Sequence, residues 1–158
     1  MSYAMNDIWY RTSLFWEIFI IDRLSKISVT TFFNRGPLIF NKYFSLDFAI
    51  NRGISWGLFS SQNEWGGFVI TGAMLVIIML LAKYTFDRQM LGYNVTGETL
   101  ILAGAIGNFA DRLIYNGVID FIRISCAGYT FPLFNIADIA ITLGACITLY
   151  HSLFGNEA

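Results

Sequence analysis

The sequence predicts an all-α integral membrane protein. Four helices form a transmembrane bundle, and the long link between helices 1 and 2 carries a small sheet. Three observations predict this. Of 158 residues, 56% are hydrophobic and 13% are charged, about half the roughly 25% charged that is usual in soluble domains. A chain so poor in polar groups cannot cover a water-facing surface, so its expected solvent is lipid. The apolar residues gather into four segments. The few ionisable residues near those segments fall into short motifs rather than being scattered.

Leu14–Phe33 is the first span, and it contains Glu17, Asp22, Arg23 and Lys26. It has no small-residue cleavage site after an uninterrupted apolar run, so it does not read as a removable signal peptide. Asp22 and Lys26 are four residues apart, which places them to neutralise each other on one helical face. The link Asn34–Glu64 is long and mixed, with aromatics at Phe40, Tyr43, Phe44 and Phe48. It is expected to hold a small sheet at the membrane interface. Trp65–Ala82 is the clearest span, without a charge over 18 residues, close to the ~20 that cross a hydrocarbon core. Thr99–Ala110 is uncharged but short. It spans, as roughly 98–115, only if Asp111 and Arg112 sit at the membrane surface. Leu133–Phe154 is the fourth span, with Asp138 as its only acid.

The whole chain, 1–158, reads as one membrane-embedded domain with spans near 14–33, 65–82, 98–115 and 133–154. Four spans put both termini on one side and the links 34–64 and 114–132 on the other. Asp120 and Asp138 then lie near the same membrane face. Lysine and arginine occur on both sides, so charge does not set the orientation. A net charge of -1 gives no reason to expect a nucleic-acid partner. Cys126 falls in a link and Cys146 in a span, so no disulfide is expected between them.

Ionisable groups at membrane depth are costly and call for a named partner or a function. Asn108 shares a helical face with Asp111 and Arg112, three and four residues on. The plain reading of Asp111 and Arg112 is structural, with Arg112 held by a carboxylate or a carbonyl to tie helix ends together. Ala103 and Gly107 form a small-xxx-small pair suited to close helix packing. Asp120 follows Gly117, a candidate helix stop, in the run Val118-Ile119-Asp120-Phe121-Ile122. It reads either as a loop aspartate bonded to backbone or as a partly desolvated carboxylate with a raised pKa. Asn135-x-x-Asp138 resembles a capping box, which alone accounts for Asp138 without chemistry. On residues alone, both readings of Asp138 stay open.

The single histidine restricts the chemistry. His151 lies 13 residues beyond Asp138, roughly 20 Å along a helix. No H-E-x-x-H motif occurs, and no serine has a well-placed histidine base. Two carboxylates at one membrane face remain. Brought together, they share one proton: the ionised member takes a proton from water and the protonated member donates to a carbonyl oxygen. That chemistry needs no metal and no cofactor. Two other classes compete with it. In a transporter or channel component, Asp111, Asp120 and Asp138 would line an ion path. In a scaffold, all three would be caps and ion pairs. The Gly-x-Gly-Asp signature of presenilin-type intramembrane proteases surrounds no aspartate here.

The motifs themselves narrow the choice. In order they are Asp22-x-x-x-Lys26, Asn51-Arg52-Gly53, Gly107-Asn108-x-x-Asp111-Arg112, Asp120-Phe121 and Phe134-Asn135-Ile136-Ala137-Asp138. This series resembles bacterial lipoprotein signal peptidase, or signal peptidase II, from about residue 14 to 150. The resemblance implies a four-helix aspartic endopeptidase of the bacterial inner membrane, multi-pass, with cytoplasmic termini and an active site on the periplasmic or outer side. Its substrates would be lipid-modified prolipoproteins, cut just before the diacylglyceryl-cysteine, and its surroundings membrane lipid. By motif, Asp120 and Asp138 would be the catalytic dyad. Asn51, Gly53, Asn108, Arg112 and Asn135 would support substrate and dyad. Asp22 and Lys26 would belong to the structural or substrate-facing set of helix 1, with Asp111 structural. The link 34–64 would form an extramembrane, β-containing cradle that grips the substrate. Two positions depart from the family pattern. Ile139 stands where a small residue is expected, and Ile54-Ser55-Trp56 is bulkier than the usual run after the glycine.

Overall fold

The structure, a computed structural model, describes residues 2–32, 36–53 and 64–154. The elements run α1 (Ser2–Phe32), β1 (Leu38–Ile39), β2 (Phe44–Asn51), α2 (Glu64–Met90), α3 (Thr96–Tyr115), β3 (Val118–Cys126), β4 (Tyr129–Thr130) and α4 (Ile136–Phe154). α1 starts twelve residues before the expected Leu14, because nothing between Ser2 and Phe32 breaks a helix; the first glycine and proline are Gly36 and Pro37. α2 likewise continues past Ala82, supported by an exposed Lys83–Asp87 pair of 2.5 Å at i,i+4 spacing. It stops at Gly92, whose φ is +86°. The N–H of Tyr93 reaches the carbonyl of Arg88 and that of Gly92 reaches Gln89, the paired bonds of a Schellman ending.

α3 ends one residue earlier than Gly117 suggested. Asn116 takes the left-handed conformation at φ 52° and its N–H bonds to the Arg112 carbonyl. Asparagine tolerates that region because its short polar side chain bonds locally. Gly117 serves packing instead: a Cβ there would lie 2.6 Å from Ile50 and 3.0 Å from the Asn51 carbonyl.

The four strands form one antiparallel sheet in the order β1-β2-β3-β4. The sheet expected in the link between the first two helices is there as β1 and β2, and it extends beyond that link. Half of it comes from the link between α3 and α4, and Asp120 sits on a strand rather than in a loop. The run Val-Ile-Asp-Phe-Ile is rich in β-branched and aromatic residues. It is buried on both faces, which hides the two-residue alternation expected of a half-exposed strand. β2 pairs with β3 in the register Asn51↔Val118 and Ala49↔Asp120, with one extra β2 residue accommodated between Leu46 and Ala49. The chain then returns so that Phe134 bridges Ile122 just before α4. The two links therefore meet at one end of the helices.

The interior of this protein is unusually polar. Among described side chains less than 2% exposed, the largest are Lys26, Ile119, Glu98, Val95, Asn135, Asp22 and Asp111. The surface carries the large apolar residues, including Phe68, Val69, Ile77 and Leu80 of α2 and Leu143, Leu149 and Leu153 of α4. A small apolar cluster of Val29, Ile119, Phe121 and Ile122 joins α1 to the sheet. α2 and α4 are each long and apolar enough to cross a membrane. α3 and α4 pack closely along glycines: a Cβ on Gly144 would come within 2.5 Å of the Gly97 carbonyl. Cys126 and Cys146 are both exposed and unbridged.

Candidate active site

Five elements converge on a cavity of about 760 Å³. Asn51 and Gly53 enter from the end of β2, Asn108 and Arg112 from α3, Asp120 from β3 and Asp138 from the first turn of α4. Ile70, Ala73, Met74 and Ile77, spaced to share one face of α2, form an apolar wall opposite the polar groups, and Ile141 adds to it from α4. Polar chemistry thus sits at one edge of an apolar trough.

Local sequence explains how each carboxylate is presented. Asn135 and Asp138 make a reciprocal capping box: the Asp138 N–H donates to Asn135 Oδ1 at 2.9 Å and the Asn135 N–H donates to Asp138 Oδ2 at 3.1 Å. The cap and the site position are therefore one feature. Asp120 is fixed by the β2–β3 register. Asn51 Nδ2 donates to its Oδ2 at 3.0 Å, and Asn135 Nδ2 donates to its Oδ1 at 2.7 Å.

Asparagines link the two carboxylates. Asn135 Nδ2 also lies 3.2 Å from Asn108 Oδ1, and Asn108 Nδ2 donates to Asp138 Oδ1 at 2.9 Å. Asn135 is fully buried, so this bridge is shielded from solvent. Burial pushes the Asp120 carboxyl up to about 6, and the nearby Asp138 charge adds to the rise, against the opposing hydrogen bonds from Asn51 and Asn135. Arg112 donates to the Gly53 carbonyl at 2.9 Å. It pairs with a carbonyl, as expected, but the one at the end of β2 rather than at a helix end.

The remaining sequence candidates form a second cluster behind the cavity. Lys26 Nζ lies 2.9 Å from Asp22 Oδ2 and 2.8 Å from Asp111 Oδ2. Arg23 bridges the same two acids, at 3.3 Å and 2.5 Å. Asp22, Lys26 and Asp111 are each no more than 1% exposed and do not line the cavity. Gly107 makes room for this cluster, since a Cβ there would sit 2.7 Å from Asp22 Oδ2. Arg23 was not singled out from the sequence. The usable signal was a third charge within one turn of an apolar span, which demands a partner from another segment.

Ile139 lines a neighbouring apolar groove of about 300 Å³ together with Phe134, Asp138, Thr142 and Leu143. Residue 33 of the expected first span and residues 34–35 and 54–63 of the expected cradle, including the bulky Ile54-Ser55-Trp56 run, lie outside the described residues. His151 lies in the last turn of α4, at the far end of the helix from Asp138.

Comparison with known proteins decides the family. The family described as signal peptidase (SPase) II matches residues 14–154. The chain belongs to the signal peptidase II family. Lipoprotein signal peptidases of Burkholderia multivorans and Burkholderia ambifaria are each 38% identical to it over 141 residues, covering 86% of this chain and 82% of theirs. Two solved bacterial membrane enzymes, determined by the in meso method at 2.3 and 1.9 Å resolution, share the fold. The first has a TM-score of 0.74 at 25% identity, covering 96% of this chain and 94% of its own. The second has a TM-score of 0.72 at 27% identity, covering 94% and 96%. Family membership makes the protein a peptidase. Its apolar helices and these structural relatives mark it as a membrane protein.

Proposed function

We propose that this signal peptidase II family member is an aspartic endopeptidase that removes signal peptides from lipid-modified prolipoproteins, with Asp120 and Asp138 as its dyad. The observation that carries the reading is their shared position on one cavity, joined through asparagines and flanked by an apolar wall. Asp120, with its raised affinity for a proton, holds the proton of the resting pair and donates it to the scissile carbonyl oxygen. Asp138 accepts a proton from the attacking water. The new C–O bond forms as the carbonyl π bond opens. Collapse of the tetrahedral intermediate then re-forms the C=O bond as Asp120 takes back its proton from the hydroxyl and the C–N bond breaks, and the amine leaves with the proton Asp138 took. No metal or cofactor enters this scheme.

Four membrane spans are part of the same reading, with α1 and α3 joining α2 and α4. The termini face the cytoplasm and the sheet faces the outer side of the bacterial inner membrane. A diacylglyceryl-cysteine is held in the bilayer by its acyl chains, each buried CH₂ contributing ~0.8 kcal/mol. That anchor brings the scissile bond to the membrane surface, where a dyad at the helix ends meets it. The sheet is the cradle for the extended peptide, and the α2 wall takes apolar groups of the substrate. The test is cleavage by the purified protein in detergent of a diacylglyceryl-cysteine precursor and its unlipidated control. Cleavage of the lipidated peptide alone is expected. Equal cleavage of both, or of neither, contradicts the assignment.

A further inference from the structure

Lys26 lies outside the cavity, yet its ammonium reaches three groups that each connect to one of the cavity aspartates or to the backbone beside it. Its ammonium has three donors and three acceptors around it: Asp22 Oδ2 at 2.9 Å, Asp111 Oδ2 at 2.8 Å and Asn108 Oδ1 at 2.8 Å. Each acceptor leads on to the site. Asn108 Oδ1 is turned toward Lys26, which leaves Nδ2 as the group facing Asp138 and donating to it. A flipped amide would set an oxygen against the Asp138 carboxylate and a nitrogen against the ammonium, so the cation fixes the orientation. Asp111 Oδ2 accepts the N–H of Ile119 at 3.2 Å, one residue before Asp120. Asp22 Oδ1 accepts the N–H of Ala137 at 3.0 Å, one residue before Asp138.

From this geometry we infer that Lys26 is the positioning residue of the dyad: one buried ammonium sets the donor face of Asn108 and, through Asp22 and Asp111, the backbone beside both aspartates. The inference rests on the aspartic-peptidase reading and assigns Lys26 no contact with substrate. It differs from a purely structural role in what it does to kinetics. A structural ion pair changes how much protein is folded; a positioning cation changes turnover by the folded protein.

The test compares wild type, Lys26→Met, Asn108→Leu and the double variant, with kcat and KM for a diacylglyceryl-cysteine precursor in detergent and a thermal melt on each preparation. Each single variant is expected to lose kcat by about 100-fold, the scale of a 1 Å misplacement. The double variant is expected to lose no more than the worse single, because groups acting as a unit are not additive. Losses that multiply overturn the inference, as does a Lys26→Met protein that melts lower yet turns over at the wild-type rate. Asn108→Asp covers the case where Lys26→Met fails to fold. It keeps an oxygen facing Lys26 but replaces the N–H facing Asp138 with an oxygen, so the acid limb of the kcat profile is expected to move to higher pH. An unmoved limb overturns the inference. Wild type that cleaves beside unaffected variants refutes positioning alone, whereas wild type that does not cleave refutes the peptidase reading with it.

Discussion

Two groups of carboxylates, all buried except the half-buried Asp138, lie side by side in this molecule and are held in opposite ways. Asp22 and Asp111 are saturated by cations, with Lys26 and Arg23 each touching both. Asp120 and Asp138 receive their hydrogen bonds from the amides of Asn51, Asn108 and Asn135 and from one backbone N–H. Each acid of the first pair has an ammonium and a guanidinium within ion-pair distance. A carboxylate held by amides is oriented equally well, but its charge is not cancelled at contact distance. The first arrangement suits a frame and the second suits proton transfer. On the proposed reading, burial alone does not mark a catalytic acid; the nature of its partners does.

Breaking the frame is expected to have the largest effect on stability. Asp111→Asn removes one acid from a cluster in which Asp22, Lys26 and Asp111 are fully buried and leaves the buried ammonium under-compensated, a change that costs about 3–5 kcal/mol. Chemical or thermal unfolding in detergent, compared with wild type, measures it. The dyad is expected to respond differently, through pH. Native Asp120 keeps its proton up to about 6, whereas the unfolded chain releases it near its ordinary value of 3.8. Between those values the native state binds more protons, so this group's contribution to stability falls as pH rises through the window. Melting temperatures from pH 4 to 6.5 for wild type and Asp120→Asn check the sign: the difference between them is expected to change across that window. The smallest effect is expected where an acid and a base meet in solvent. Arg123 and Asp47 pair across β2 and β3 while partly exposed, so Arg123→Gln is expected to change stability by less than about 1 kcal/mol.

The sequence made particular parts of this site readable. Asn135-x-x-Asp138 states its capping box locally, and Asp22-x-x-x-Lys26 states its ion pair, since both are contacts within one turn. Counting four spans led to the expectation that Asp120 and Asp138 lie near one face, and the structure has both lining one cavity. Other features could not be read in that way. The β2–β3 register that carries Asp120 joins residues near 50 to residues near 120, and no local pattern encodes it. β3 is buried on both faces and offers no alternation to detect. The Asn116 stop displaced Gly117 because the glycine was needed for space beside Ile50 instead. The capping reading and the chemical reading of Asp138 had stood as alternatives. The structure joins them geometrically: the bonds that start α4 also aim its carboxylate into the cavity.

The most direct test of the contrast is Asp138→Asn, assayed for cleavage of a diacylglyceryl-cysteine precursor and for melting temperature on the same purified sample. An asparagine retains one oxygen for the capping bond from the Asn135 N–H but loses the one that accepts from Asn108 Nδ2, so the fold is expected to persist with a modestly lower melting temperature. Cleavage is expected to vanish. Near-normal cleavage by that folded protein would contradict the account.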